Sequence, residues 1–335
     1  MNSKNEKRIL VVTSNHKEGW RWLSGYFDGH SLRWTFLTGK SYGTGRKGNM
    51  ILGLHAAFVA RNHDIITTHG PWVTLFTAFF MKALRTKKPL LAFTFNHGNG
   101  IFFTGVFLWL ARLVLPSVDL FVTHSNYERQ LLSEKYGIPI EKILFTHWAV
   151  APPELGRNKV DYVSDEENFV CCIGRNNRDL KTFLEAVRKT GIRAVLICRA
   201  NQVDELDIPE SVVLRTDVSL AECEGVMEKA MASIIPLIDN STGAGHMTIV
   251  TSLHYGTPVI ATNSPVLTDY IIEGKTGSLV EPRSSDDLVC KIQSLRDDPS
   301  LRADLRKSSL KFAKENLSEA HAADFLAQVL NKFRT

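Results

Sequence analysis

The chain has 335 residues, too many for one ordinary core and about right for two domains. With 44% hydrophobic and 22% charged residues it has the composition of a soluble globular protein, which excludes a disordered, low-complexity or fibrous chain. The net charge of +5 is unevenly spread: residues 1–150 hold 18 Lys and Arg against 8 Asp and Glu, and residues 151–335 hold 22 against 27. A basic half joined to an acidic half suggests that the first half meets an anionic surface or ligand. No nucleic-acid motif accompanies the charge, so an anionic membrane face fits it better than a nucleic acid.

The five cysteines are Cys171, Cys172, Cys198, Cys223 and Cys290. They form no CxxC pair, their number is odd, and three fall in apolar strand-like runs. They read as reduced, buried thiols of a cytosolic protein. The N-terminus is polar and shows no signal-peptide pattern before the first strand, which begins near Arg8.

In the first half, Ile9-Leu10-Val11-Val12-Thr13 is a buried strand, and further strands are expected from about Leu32, Asp64, Pro89, Leu120 and Lys142. Helical patterns at about 50–62, 72–85, 101–115 and 126–136 alternate with them, which predicts a doubly wound parallel sheet. The last of these helices has a capping box, Ser125 with Glu128. Ligands of such sheets bind beyond the C-terminal strand ends, where His16, His69 and His97 fall. Each is a candidate for contacts to a sugar or acceptor, or simply a loop histidine serving backbone groups. Residues 39–48, Gly-Lys-Ser-Tyr-Gly-Thr-Gly-Arg-Lys-Gly, fit no nucleotide fingerprint. They read as a basic loop in which Lys47 grips an anionic acceptor, or as a solvated surface loop. The patterns from Trp72 and Ile101 are unusually apolar, yet neither reaches the roughly 20 apolar residues of a membrane span. They are either buried helices or an aromatic surface that dips into a membrane beside Lys82, Arg85, Lys87 and Lys88.

Residues 151–168, with Pro152-Pro153, Gly156 and the run Asp165-Glu166-Glu167, read as a linker. A second sheet then starts at Phe169-Val170-Cys171-Cys172-Ile173. It ends in Gly174-Arg175-Asn176-Asn177-Arg178, ahead of a helix over 181–189. Strands follow at 193–198 and 212–214, then a short apolar strand at 233–237. This last opens into a run of small and turn-forming residues, Asp239 to Gly245, before a helix over His246–His254 closed by Gly256. Such a turn leaves backbone N–H groups at a helix start free for an anion, a plausible seat for a diphosphate, or is a tight β–α turn with nothing bound. Helices at 286–297, 301–315 and 318–333 complete the chain.

Over about fifty residues the chain resembles the donor-binding segment of family-4 glycosyltransferases, GT-B enzymes that use sugar nucleotides. The matching stretches are Gly256-Thr257-Pro258-Val259-Ile260-Ala261-Thr262, Asp269-Tyr270-Ile271 and Gly274-Lys275-Thr276-Gly277-Ser278-Leu279-Val280-Glu281-Pro282. Gly174-Arg175 with Arg178 is similar to the family's second donor element, in which two cations clamp the diphosphate. The resemblance implies an α/β fold of two Rossmann-like doubly wound domains facing each other across a cleft. Residues 1–150 would form the acceptor domain and 169–318 the nucleotide-sugar domain, with 319–335 a closing helix that packs back on the first. The implied donor site is Arg175, Arg178, Gly243, Ala244, Gly245, His246, Met247 and Thr251. His97 and Arg175 are the catalytic candidates, and His16, His69 and Lys47 the acceptor candidates. One departure stands out: the family's pair of glutamates in this turn and helix is replaced, by alignment, with Ala244 and Thr251.

These readings predict a sugar-nucleotide-dependent glycosyltransferase acting in polysaccharide or glycolipid assembly, retaining by resemblance. Its partners would be a nucleotide-sugar donor, a saccharide or lipid-linked acceptor and the inner membrane surface. No cofactor is expected, and no metal, because no Asp-x-Asp motif occurs. Two alternatives remain: a non-catalytic protein that binds a sugar nucleotide or a partner, which the missing glutamates favour, and a sugar-nucleotide epimerase, which the scarcity of cleft carboxylates disfavours.

Overall fold

The computed structural model describes residues 6–14, 16, 19–29, 31–43, 45–95, 103–163, 168–238 and 244–333. It divides into two compact units, residues 1–146 with 322–335, and residues 147–321.

In the first unit, β1 (Lys7–Thr13), β2 (Leu32–Thr38), α1 (Gly45–Val59), β3 (Ile65–His69), α2 (Pro71–Ala83), β4 (Leu90–Phe93), α3 (Val106–Val114), β5 (Leu120–Thr123), α4 (Asn126–Tyr136) and β6 (Ile143–Phe145) alternate as the hydrophobic pattern predicts. The strands form one parallel sheet in the order β2-β1-β3-β4-β5-β6. Its central strands are near-continuous apolar runs because a parallel sheet is covered on both faces. On one face Leu10, Val12, Ile66 and Ala92 pack with Leu52 of α1, Leu75 of α2, Ala111 of α3 and Leu132 of α4. The helix start expected at Ser125 is formed, with the Glu128 backbone N–H donating to Ser125 Oγ at 3.0 Å.

The stretch 39–48 is not an open loop. Gly39–Tyr42 is a 3-10 turn and Gly45–Gly48 is the first turn of α1. Gly39 lies so close to the end of the neighbouring strand β1 that a Cβ there would stand 2.6 Å from Ser14 Cα, so only glycine fits. The polar sequence of this turn hides the helix from a hydrophobic-periodicity reading, which placed its start five residues late.

In the second unit, β7 (Phe169–Ile173), α5 (Leu180–Thr190), β8 (Arg193–Cys198), β9 (Val212–Thr216), α6 (Leu220–Lys229), β10 (Ala232–Ile235), α7 (His246–His254), β11 (Val259–Thr262), β12 (Gly277–Val280), α8 (Ser285–Asp297) and α9 (Pro299–Asn316) build a second parallel sheet, ordered β12-β11-β10-β7-β8-β9. The helices α5 and α8 share a core with one face, through Phe183, Val187, Leu288 and Ile292. On the other face Val226, Met227 and Tyr255 pack with Val160 and Val163. Residues 147–163, including much of the expected linker, therefore belong to the second unit's body. The last helix, α10 (Glu319–Asn331), contributes Ala323, Leu326, Val329 and Leu330 to the first unit's other face, against Ile9, Val11, Ile65 and Leu91.

Among the cysteines, Cys171, Cys172 and Cys198 are buried in β7 and β8 as expected. Cys290 is exposed and Cys223 half-buried, because both lie on helices rather than in the sheet. No described helix is long and apolar enough to cross a membrane.

Candidate functional site

In the second unit, β7 ends at Ile173 and the chain turns through Gly174-Arg175-Asn176-Asn177 before α5. The two arginines have different surroundings. Arg175 is exposed. Arg178 is 5% exposed, and its guanidinium donates to the Ile173 carbonyl (Nη2, 3.2 Å), the Asn176 carbonyl (Nη1, 3.1 Å) and Thr248 Oγ1 (Nη2, 3.2 Å). A Cβ at Gly174 would stand 2.5 Å from Arg178 Cζ, so the glycine makes room for the guanidinium. Among the described residues no carboxylate lies within ion-pair distance of Arg178. Burial presses its pKa down, but an arginine stays charged.

Thr248 ties this arginine to α7. That helix opens at Gly245 with no side-chain cap and no acidic residue in its first turn. Its first N–H groups and the helix dipole therefore add positive potential beside a buried cation. Among the described residues no acid compensates these two positive features, and an anion is favoured beside them. Of the expected donor residues here, Ala244, Gly245 and Thr251 are half-buried and Met247 is 54% exposed. His246 is turned inward: it is buried, and its Nε2 pairs with the Val266 carbonyl at 2.9 Å, so the side chain holds the fold and only its backbone remains to face a ligand. Gly243 lies outside the described residues. A groove of about 590 Å³ lies against the start of α5, lined by Arg178, Lys181, Thr182, Gln202, Ile238 and Arg283 among others.

In the first unit, strand register places Thr13, His69 and Phe93 side by side at the C-terminal ends of β1, β3 and β4. His69 is 4% exposed and sits against Trp22 (ring centroids 4.5 Å apart) and Trp20 (5.2 Å). His16 stacks on Trp20 at 3.7 Å, and its Nδ1 hydrogen-bonds Thr13 Oγ1 at 2.8 Å. Burial, then the nearby His16 and His124, push the His69 pKa down to about 3, and burial also lowers that of His16. Both rings are neutral at pH 7, and His69 Nε2 has no partner among the described residues. The structure thus brings His16 and His69 together. Lys47 is exposed in the first turn of α1. His97 lies outside the described residues. Sequence reasoning missed Trp20 and Trp22 because they stand in an irregular stretch without periodicity. It missed Thr248 because a threonine in a helix's first turn carries no signal of its own. Among the described residues no cluster of His, Cys, Asp or Glu could hold a metal ion.

Residues 159–312 match the family model described as Glycosyl transferases group 1. Over this segment the chain resembles a group 1 glycosyltransferase domain. The segment spans the second unit from Lys159 into α9, and so contains Arg175, Arg178 and the start of α7. Comparison with curated proteins finds no match. Among solved structures, the chain is similar to HepE of Anabaena, solved in complex with UDP (TM-score 0.73, 14% identity, covering 97% of this chain and 100% of that one). It is also similar to sucrose-phosphate synthase of Thermosynechococcus elongatus (0.75, 14%, 97% and 99%). A third likeness is to the apo form of the lipopolysaccharide outer core galactosyltransferase WaaB (0.67, 12%, 97% and 99%). At such identities the likeness is one of fold, and the fold is GT-B.

Proposed function

We propose that the protein transfers a sugar from a nucleotide-sugar donor to a saccharide or lipid-linked acceptor in surface polysaccharide or glycolipid synthesis. The observation that carries this reading is the buried Arg178 held beside the first turn of α7, with no acid at either among the described residues. In the proposed reaction the donor diphosphate lies on the α7 amides and Arg178, and exposed Arg175 reaches its outer oxygens. As the bond from the anomeric carbon to the diphosphate oxygen breaks, negative charge grows on the leaving group, and these fixed positive groups stabilise it more than they stabilise the intact donor. Protein groups then meet the diphosphate charge without a required metal. The acceptor hydroxyl oxygen bonds to the anomeric carbon as the diphosphate leaves with the hydroxyl proton, with retention by family resemblance; in the first unit the His16–Trp20 stack offers an apolar face that suits a sugar ring. HepE was solved with UDP, which makes a UDP-sugar the first donor to test.

A second reading, a nucleotide-sugar-binding protein without turnover, draws on Ala244 and Thr251 standing where the family carries glutamates. A thermal-shift screen against UDP-, GDP-, ADP- and CMP-sugars tests the donor site. A donor at a hundred times its Kd contributes about 2.7 kcal/mol, which raises the melting point by about 5–10 °C. Silence with every donor refutes the site. Binding without release of nucleoside diphosphate in the presence of saccharide and lipid-linked acceptors selects the second reading.

A further inference from the structure

We infer that the outer face of α1, α2 and α3 is a docking surface for a bilayer carrying anionic lipid headgroups. The three helices lie side by side, α2 touching both of the others, and all turn their inner sides to the same face of the first sheet. Their outer sides are apolar where solvent-facing helices are normally polar. On α1 the stripe is Met50, Ile51, Leu54 and Phe58, at helical spacing and with Phe58 47% exposed. On α3 it is Val106, Trp109 and Leu113, with Trp109 64% exposed, and Phe79 of α2 adds to it. One face with this many large exposed apolar side chains is more than scattered single residues would give.

Charge selects the occupant. Residues 41–117, which contain all three helices, hold eight Lys and Arg and a single acid, Asp64. That acid is occupied by Arg8 at 3.5 Å and by Lys88 at 4.0 Å. The cations flank the apolar stripes: Arg61 lies over the Phe58 ring at 5.4 Å, Lys82 Nζ reaches the Leu113 carbonyl at 3.2 Å, and Arg85 and Lys87 follow α2. A protein partner for such a face would have to be as acidic as the face is basic. A bilayer with anionic headgroups supplies both needs at once, hydrocarbon for Trp109 and Phe58 and negative charge for the lysines and arginines. No described helix is long enough to span, so the contact is parallel to the membrane plane. The inference deepens the lipid-linked form of the proposed acceptor, but vesicle binding and sugar transfer are read separately and fail separately.

The test is cosedimentation of the full chain with vesicles of phosphatidylcholine alone and of phosphatidylcholine mixed with phosphatidylglycerol. The protein is expected to partition onto the anionic vesicles and to be released by salt. Arg85→Gln with Lys87→Gln should weaken partitioning about five-fold per cation, about twenty-five-fold for the pair. Trp109→Ser should weaken it about tenfold. Lys307→Gln with Lys311→Gln, exposed on α9, should leave it unchanged. All of these positions are exposed, so each variant should melt with the wild type. Equal recovery with neutral and anionic vesicles overturns the inference, as does unaltered partitioning of the Arg85/Lys87 or Trp109 variants. So does a wild-type dimer in sedimentation equilibrium that Trp109→Ser dissociates, because a second copy would then cover the face.

Discussion

Replacing Gly174 by alanine tests whether Arg178 is seated as described. The new Cβ would stand 2.5 Å from both Arg178 Cζ and Nη2, and ordinary contact requires the guanidinium to retreat by about 1 Å. Its hydrogen bonds to Ile173, Asn176 and Thr248 already measure 3.1–3.2 Å, so such a shift breaks at least one of them. A hydrogen bond to a charged group is worth about 1.5–3 kcal/mol, and leaving the cation buried without it adds to the loss. The backbone at Gly174, at φ +159°, suits glycine and strains an alanine, which adds to the loss. The net expectation is a loss of about 2 kcal/mol, or about 4–8 °C in the melting point of a unit of this size. The same substitution in an Arg178→Met background should cost less, because the displaced guanidinium is gone and only the backbone strain remains; the coupling in this double-mutant cycle is the quantity to measure, by calorimetry. A Gly174→Ala protein that melts with the wild type, or two substitutions that simply add, would refute the seat and with it the cationic wall of the proposed donor site.

Arg175→Ala should leave the melting point of the free protein unchanged, since the side chain is exposed, while weakening donor binding about ten- to a hundred-fold in titration calorimetry; unchanged affinity would remove Arg175 from the site. His69, held near pKa 3 mainly by burial, binds fewer protons when folded than the unfolded chain, whose histidine titrates near 6.5. Its contribution to stability is whole above about pH 6.5 and drains away as pH falls toward 3, with about 2 kcal/mol gone at pH 5. Equilibrium denaturation across that range should show the loss, and His69→Phe should flatten it; parallel curves would mean that the ring is not held neutral. Leu326→Ala in α10 should cost about 2–5 kcal/mol, read as a lower denaturation midpoint of the first unit, because Leu326 is fully buried against β1 and β3; a loss below about 0.5 kcal/mol would detach α10 from that core.

The order of strands and helices was readable from the chain because each strand of a doubly wound sheet is a short apolar run between polar turns. Phe169–Ile173, Arg193–Cys198 and His246–His254 fall where local pattern places them. The start of α1 was not legible, since Gly45–Gly48 has no apolar stripe and its position depends on Gly39 meeting Ser14. The donor motif was legible as residue types at fixed spacing, but spacing treats Arg175 and Arg178 alike. Only the packed unit separates them, enclosing one among backbone carbonyls and Thr248 and leaving the other in solvent. Burial of a charge is a property of what surrounds it, and the surrounding atoms come from β7 and α7, some seventy residues apart. The same holds for His69, whose neutrality comes from burial under Trp20 and Trp22 of the irregular stretch after β1 and beside Phe93 of β4. The sequence by itself determined the layered α/β architecture and the chemical types of its site residues, because periodicity and turn chemistry are local. Tertiary structure decided which cations are held, which histidines lose their charge and which helix faces stay uncovered, because each of these depends on contacts between distant parts of the chain.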